Sequence, residues 1–561
     1  MDRRTILAFL LTALVIFTPM LIWGNRRARS VAPTDTASGS APVNASAAAP
    51  SAASPAAAPS VVPTVTATQS APPRRGDTTA IDYGKTRYTF STAGGTPQAV
   101  TLAAYRNLAP SKTIQPKAMI GATVPTSGPG LLRYRVVRGA DTVALDTVPF
   151  QAARSGDVVT FTSSGSLPVT LRYQFTDDGY LTHVSGQVDG TATQLLIDLP
   201  STLRSQEADT LDDERHLAYG YKLAHEDVKS VAFTKLDPSL VRTDSGPMTW
   251  VAARNKYFLI ALIAPSSREF VALRMQGGLR VGRTAPTASA TAILPIRDGR
   301  FGFDIYAGPQ SWSQLRAIGQ ELENVNPYGG WIPGVQPFAA VCMRVLLWIR
   351  QTFNVSYGWV LIIFGFAVRL LLWPLNQSAM RSSLKMQRIQ PELAEVQKRY
   401  KADPEKQRTE LVKLYQQHGM SPFSPVMGCL PMLLPMPVLF ALFFVFQNTI
   451  EFRGVSFLWL PDLSLGDPYF IMPIVMGITM FALSWIGMRA APPNPQTKMM
   501  SYMMPAVMTA VLWKFASGLN LYYAVQNIAA LPQQLLLTRE RMKAAPPAAT
   551  PAPLRSRRAT T

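Results

Sequence analysis

The sequence predicts a multi-pass α-helical membrane protein that carries a large antiparallel β-sandwich outside the bilayer. Three observations lead there. Hydrophobic residues make up 47% and charged residues only 16% of the 561 residues, too apolar a balance for a soluble basic chain. Apolar spans of bilayer length recur in the second half, and a long series of short alternating stretches precedes them. The net charge of +20 gathers in segments flanking the spans, as the positive-inside rule requires, which argues against a nucleic-acid-binding role. The two cysteines, Cys342 and Cys429, fall near opposite ends of different spans, a poor geometry for a disulfide.

Residues 1–27 open with Met1-Asp-Arg-Arg, continue through an apolar run from Thr5 to Trp23, and close on Arg26 and Arg27. The core is long for a signal peptide and no small-x-small site ends it, so it reads as an uncleaved anchor. Its balanced arginine flanks leave its orientation open. Residues 28–76 are rich in Ala, Pro, Ser and Thr with almost no large apolar side chain, the composition of a flexible tether.

Residues 77–320 carry period-two stretches. In Val169-Thr-Leu-Arg-Tyr-Gln-Phe175, the residues Val169, Leu171, Tyr173 and Phe175 share one sheet face. Similar runs over Ile81–Phe90, Leu131–Val137, Tyr257–Ile263 and Phe270–Met275 predict one antiparallel sandwich. His183, His216 and His225 lack metal-ligand spacing, and no metal is expected. Residues 321–356 turn helical. Apolar positions interrupted by Arg344 and Arg350 predict an amphipathic helix lying in the membrane interface, with a linker helix packed on the sandwich as the alternative.

Spans follow at Tyr357–Leu375, Val426–Asn448, Tyr469–Met488, Tyr502–Ala516 and Leu519–Leu537, making six transmembrane helices with the anchor. The segment 378–420 holds Arg381, Lys385, Arg388, Lys398 and further basic residues, whereas Thr449–Pro468 has Glu451, Asp462 and Asp467 against Arg453 alone. Arg489 and Lys498 flank the next loop, and the tail 539–561 is basic. Alternation then places the sandwich outside and both termini in the cytoplasm. Segment 378–420 reads as a helical hairpin broken at Ala402-Asp-Pro404, with Leu393, Val396 and Tyr400 on one arm and Leu411, Leu414 and Tyr415 on the other. It is open whether this hairpin contacts a partner or is only a solvated face. The last two spans are short for a bilayer about 30 Å thick. The methionines around them, Met472 to Met508, fit either adaptable client contacts or ordinary packing.

Arg369 stands inside the span Tyr357–Leu375. A charge there costs a few kcal/mol and commonly marks a functional site, but a snorkelling side chain could also reach the cytoplasmic headgroups. Neither a Gly-x-x-x-x-Gly-Lys-Ser/Thr loop nor a His-Glu-x-x-His pair is present, so no catalytic residue and no cofactor is expected. A transporter would require inverted repeats or an acidic coupling partner, and none is found. Ser517-Gly518 superficially invites a protease reading, but no histidine lies in any span.

Several motifs carry a resemblance. They are Ala307-Gly-Pro-Gln310, Tyr357-Gly-Trp with Arg369, Trp373-Pro-Leu375, Gln390-Pro391, Gly428-Cys429-Leu-Pro431, Met436-Pro437, Asp467-Pro-Tyr469, and Ser517-Gly-Leu-Asn-Leu-Tyr-Tyr523. The chain resembles the YidC-type membrane-protein insertases of the Oxa superfamily, in their Gram-negative form, over nearly its whole length. The resemblance implies a five-helix insertase core, residues 357–538, enclosing a hydrophilic groove open to cytoplasm and lipid. Arg369 matches the groove arginine, Tyr522 and Tyr523 the paired tyrosines of the last helix, and Met436 and Leu439 the client-facing positions of the third. Gly365 stands where relatives often carry a hydroxyl. Pro435 replaces an expected polar residue, and Ser421–Met427 is longer than the usual Asn-Pro turn. The implied function is insertion and folding of nascent transmembrane segments in the bacterial inner membrane, with a periplasmic sandwich. Implied partners are nascent membrane proteins, the Sec translocon, membrane lipids, and the ribosome through the hairpin and basic tail. No small-molecule substrate is assigned.

Overall fold

The structure, a computed structural model, describes residues 77–109, 118–120, 130–163, 167–188, 191–265, 269–326, 335–401, 403–418, 436–489 and 495–544. The expected anchor and tether, Cys429, Pro435, the 421–427 segment and the tail from residue 545 lie outside the described residues.

The strands pair antiparallel throughout, in one four-stranded and one fourteen-stranded sheet. In Val169–Phe175 the four residues expected on one face are buried, and those between them are half-buried or exposed. The stretch Ile81–Phe90, read above as one strand, is a hairpin of Thr78–Tyr83 and Thr86–Ser91. Gly84 makes the turn with φ of 55°, and a Cβ there would lie 2.6 Å from the Asp177 carbonyl oxygen, so only glycine fits.

The large sheet becomes a sandwich by curling. Arg133–Arg138 lies next to one end of its strand order and Val169–Phe175 third from the other, yet the hydroxyls of Tyr134 and Tyr173 are 3.3 Å apart. Both rings belong to the same apolar core. The thirteen-residue strand Arg242–Arg254 turns the corner. Its first half pairs with Phe270–Gly277 and its second with Phe258–Ile263, the pairing with Phe270–Gly277 shifting register at Gly246 and Pro247. A bulge that bends one strand lets it serve two layers.

Seven helices are described after residue 334: α1 (Val335–Phe353), α2 (Tyr357–Arg399), α3 (Pro404–Gln417), α4 (Met436–Asn448), α5 (Ile471–Met488), α6 (Pro495–Leu512) and α7 (Ser517–Ala544). Helix α1 buries Ala339, Met343, Leu346 and Ile349 against the helical core and exposes Phe338, Val341, Trp348 and Phe353. Its arginines do not simply face outward. The Arg344 guanidinium lies 5.8 Å from the Trp312 ring centre, and Arg350 donates to the Val355 carbonyl and lies 5.5 Å from the Tyr357 ring.

Two sequence boundaries move. Helix α2 runs unbroken for 43 residues from the membrane span into the hairpin, where a separate helix was expected after Leu375. Helix α7 continues through Pro532 to Ala544, giving 28 residues in place of a short span. The hairpin breaks at the expected place: the Asp403 carboxylate accepts from the Lys406 amide at 3.1 Å, with Pro404 opening α3. Among the described residues, Tyr357–Pro374 and Ile471–Met488 are apolar and long enough to cross a membrane, with mean hydropathies of 1.7 and 1.9. Helix α7 is less apolar because it carries Asn520, Gln526, Asn527, Gln533 and Gln534.

The segment between α4 and α5 joins the helices to the sandwich. Ile450 is buried in the sandwich core, while Trp312, just beyond the last strand, is buried among the helices. The Asn326 side-chain amide donates to the Asn448 carbonyl at 3.1 Å. At the other end, the Asp467 carboxylate accepts from the amides of Tyr469 (2.9 Å) and Met472 (2.7 Å), capping the start of α5.

Candidate functional site

Arg369 is half-buried on α2, on the side facing α7. Its Nη2 donates to Gln533 Oε1 at 2.8 Å. Gln533 is 3% exposed, and its Nε2 donates to the Trp373 carbonyl of α2 at 3.2 Å. Among the described residues no carboxylate lies within ion-pairing reach of Arg369, and its Nε–H is buried without a hydrogen-bond partner. No counter-ion therefore cancels its charge, and Nε–H is a buried donor left unused. It is tied to α7 instead of snorkelling along α2.

One helical turn before Arg369 the two helices meet closely at Gly365. A Cβ there would lie 2.9 Å from Val525 Cγ1. This close approach lets Gln526 Nε2 donate to the Gly365 carbonyl at 2.8 Å and to the Tyr522 hydroxyl at 3.1 Å. Gly365 thus contributes a polar group through its backbone carbonyl. Gly365→Leu is expected to force α2 and α7 apart and to lower stability by about 1–3 kcal/mol, the usual cost of overpacking. Thermal unfolding in detergent checks this; an unchanged midpoint would show that the close contact carries no weight.

The paired tyrosines occupy different surroundings. Tyr522 is 1% exposed and packs between Phe364 (6.1 Å) and Phe446 (5.9 Å), which makes it a core residue. Tyr523 is half-buried at the edge of the same core, its ring 5.9 Å from that of Tyr522. Met436 and Leu439 stand on the first turn of α4, and their side chains are outside the described set.

Polar residues that the sequence reading passed over complete the picture. On its other side α7 reaches α5: Asn527 Nδ2 donates to Thr479 Oγ1 at 3.2 Å, and Thr538 Oγ1 to the Ile486 carbonyl at 3.3 Å. The available signal was the seven-residue spacing of Gln526 and Gln533 within the span, which puts both amides on one face.

A second buried charge group lies where the sandwich meets the helices. Arg453 Nε lies 2.8 and 2.9 Å from the two carboxylate oxygens of Glu207, and its Nη2 donates to the carbonyls of Arg106 (2.9 Å) and Gln206 (3.2 Å). The guanidinium lies 5.3 Å from the Phe258 ring centre and 5.9 Å from that of Tyr257. Both charged side chains are almost fully buried, at 3% and 7% exposure. Burial pushes the Glu207 carboxyl up to about 7 despite the opposing pull of Arg453. Nearby, Asp213 accepts from the Lys256 amide at 3.0 Å and from Asn255 Nδ2 at 3.2 Å, and burial raises it to about 6.

Residues 348–545 match the family described as 60Kd inner membrane protein, and residues 79–338 match the YidC periplasmic domain. The "Membrane protein insertase YidC" of Chlorobaculum parvum is 31% identical over 430 residues, covering 71% of this chain and 70% of that one. The chain belongs to the YidC family of membrane protein insertases. The YidC insertase of Chlorobium luteolum is likewise 31% identical, over 73% of this chain and 71% of its own. Among solved structures, "Active YidC insertase crystal structure with the first transmembrane domain resolved" is 17% identical, covers 82% of this chain and 92% of its own, and has a TM-score of 0.33. The antiparallel sandwich is thus the YidC periplasmic domain, and the chain is a bacterial inner-membrane protein whose clients are nascent membrane proteins.

Proposed function

We propose that this insertase moves nascent transmembrane segments into the inner membrane through a hydrophilic groove organised around Arg369, acting alone or beside the Sec translocon, and that it also assists their folding. The observation that carries this reading is the charged guanidinium of Arg369, held by Gln533 with no carboxylate in reach among the described residues. A fixed cation at membrane depth lowers the cost of bringing a client's polar or acidic external segment partway across the bilayer. In this scheme the apolar segment slides past Tyr523, Met436 and Leu439 into lipid, and its burial there drives release. Gly365 and Tyr522 hold α2 against α7. Six spans with both termini in the cytoplasm fit the charge alternation of the loops. The basic hairpin 378–420 and the tail suit weak contact with a ribosome.

The test is insertion of a small single-span client into proteoliposomes containing only this protein, scored by protease protection. Protection above empty liposomes, reduced by Tyr523→Ala, is the expected result. Absence of protection by folded, correctly oriented protein would overturn autonomous insertion.

A further inference from the structure

We propose that Gln533 is the positioning residue for Arg369, holding its guanidinium in place, with its charge uncancelled, to receive a carboxylate of the client. This rests on the groove reading above and extends it to a residue on the facing helix and to the chemistry of the group received.

The argument begins with the amide. Gln533 uses its oxygen toward Arg369 Nη2 and its nitrogen toward the Trp373 carbonyl. Flipping that amide would set NH2 against guanidinium and oxygen against carbonyl oxygen, losing both bonds, so only one orientation is self-consistent. The Trp373 carbonyl lies one helical turn beyond Arg369 on the same helix. Helix α2 therefore orients the amide that in turn orients its own arginine. The partner is also neutral: a carboxylate at 533 would satisfy the guanidinium equally well but cancel its charge.

The remaining donors complete the case. Gln533 takes one of the five guanidinium hydrogens, and the half-buried side chain keeps others for an arriving acceptor. A carboxylate pairs with arginine through two parallel N–H bonds, and the planar guanidinium offers such a fork. Nη2 has two hydrogens, one of which goes to Gln533. The guanidinium can therefore receive a client carboxylate without releasing the amide.

The experiment compares two clients, identical except for Asp or Asn in the translocated segment, in proteoliposomes holding wild type, Gln533→Glu, Gln533→Met or Arg369→Ala. The readout is the ratio of Asp-client to Asn-client insertion rates, which a merely structural role would not move. Gln533→Glu is expected to lower this ratio about tenfold, to the value of Arg369→Ala, because the new carboxylate occupies the guanidinium. Gln533→Met, similar in volume but unable to hold the arginine, is expected to lower it by a smaller factor, and it decides the matter should the glutamate variant fail to fold. Wild-type ratios in the folded Gln533 variants, with a collapsed ratio in Arg369→Ala, would overturn the role of Gln533 and leave the groove reading intact. A wild-type ratio in Arg369→Ala would overturn both.

Discussion

Replacing Arg453 by alanine is expected to destabilise the protein by about 3–5 kcal/mol, the usual consequence of leaving a buried charge without its partner. Glu207 would then lose its charge partner and be driven to take up a proton, and the carbonyls of Arg106 and Gln206 would lose their donor. The pair itself need not be strongly stabilising, since burial already outweighs Arg453 in setting the Glu207 carboxyl. The double variant Arg453→Ala with Glu207→Gln is therefore expected to recover much of the loss, and a double-mutant cycle on thermal unfolding in detergent measures the coupling. Additive effects of the two changes would contradict it. A pH dependence follows from the same residue. Its folded-state value is raised from 4.5 to about 7, so between those values the folded protein holds a proton that the unfolded chain has released. Stability contributed by this group is full below about 4.5, falls as pH rises through the window, and levels off above about 7, a total of about 3 kcal/mol. Asp213, raised to about 6, adds a slope of the same sign. Glu207→Gln should flatten the curve partway, and an unchanged slope would show that Glu207 does not titrate in that range.

Removal of the Arg369 charge is expected to slow insertion of clients with acidic external segments by about tenfold to a hundredfold, at about 1.4 kcal/mol per factor of ten. The estimate follows from Coulomb attraction of a few kcal/mol between close charges at intermediate dielectric, part of which the unaided bilayer and its water defects replace. Clients with neutral external segments should lose much less. Arg369→Lys retains the charge without the planar fork and should fall between wild type and Arg369→Ala. Parallel reconstitutions with clients graded in acidic residues check this. Equal losses for neutral and acidic clients would assign Arg369 to packing.

What the sequence made legible was periodic or compositional. The alternation in Val169–Phe175 reports burial directly, because successive side chains leave opposite faces of a strand. The break at Asp403-Pro404 was equally readable, since a side-chain cap followed by proline is a local signal. The misreadings have physical causes. Ile81–Phe90 keeps its alternation on both sides of Gly84, so periodicity alone does not register the reversal there. The expected spans end at Leu375 and Leu537, where their apolar runs stop, but both helices continue as polar extensions beyond those points. Gln533 carries no periodic or compositional signal of its own. Its significance depends on Arg369, 164 residues earlier in the chain, and only the fold brings them together.

The exchange of Ile450 into the sandwich and Trp312 into the helices resembles a mortise joint, each body lending a peg to the other. Neighbouring domains ordinarily swing unless their shared surface is apolar and interlocked. Here the sandwich is bolted to the outer ends of the helices. A molecule bound to the sandwich would thus be held at a set distance and angle from the first turns of α2 and α7, and its local concentration there would be fixed by architecture instead of by diffusion at the end of a leash.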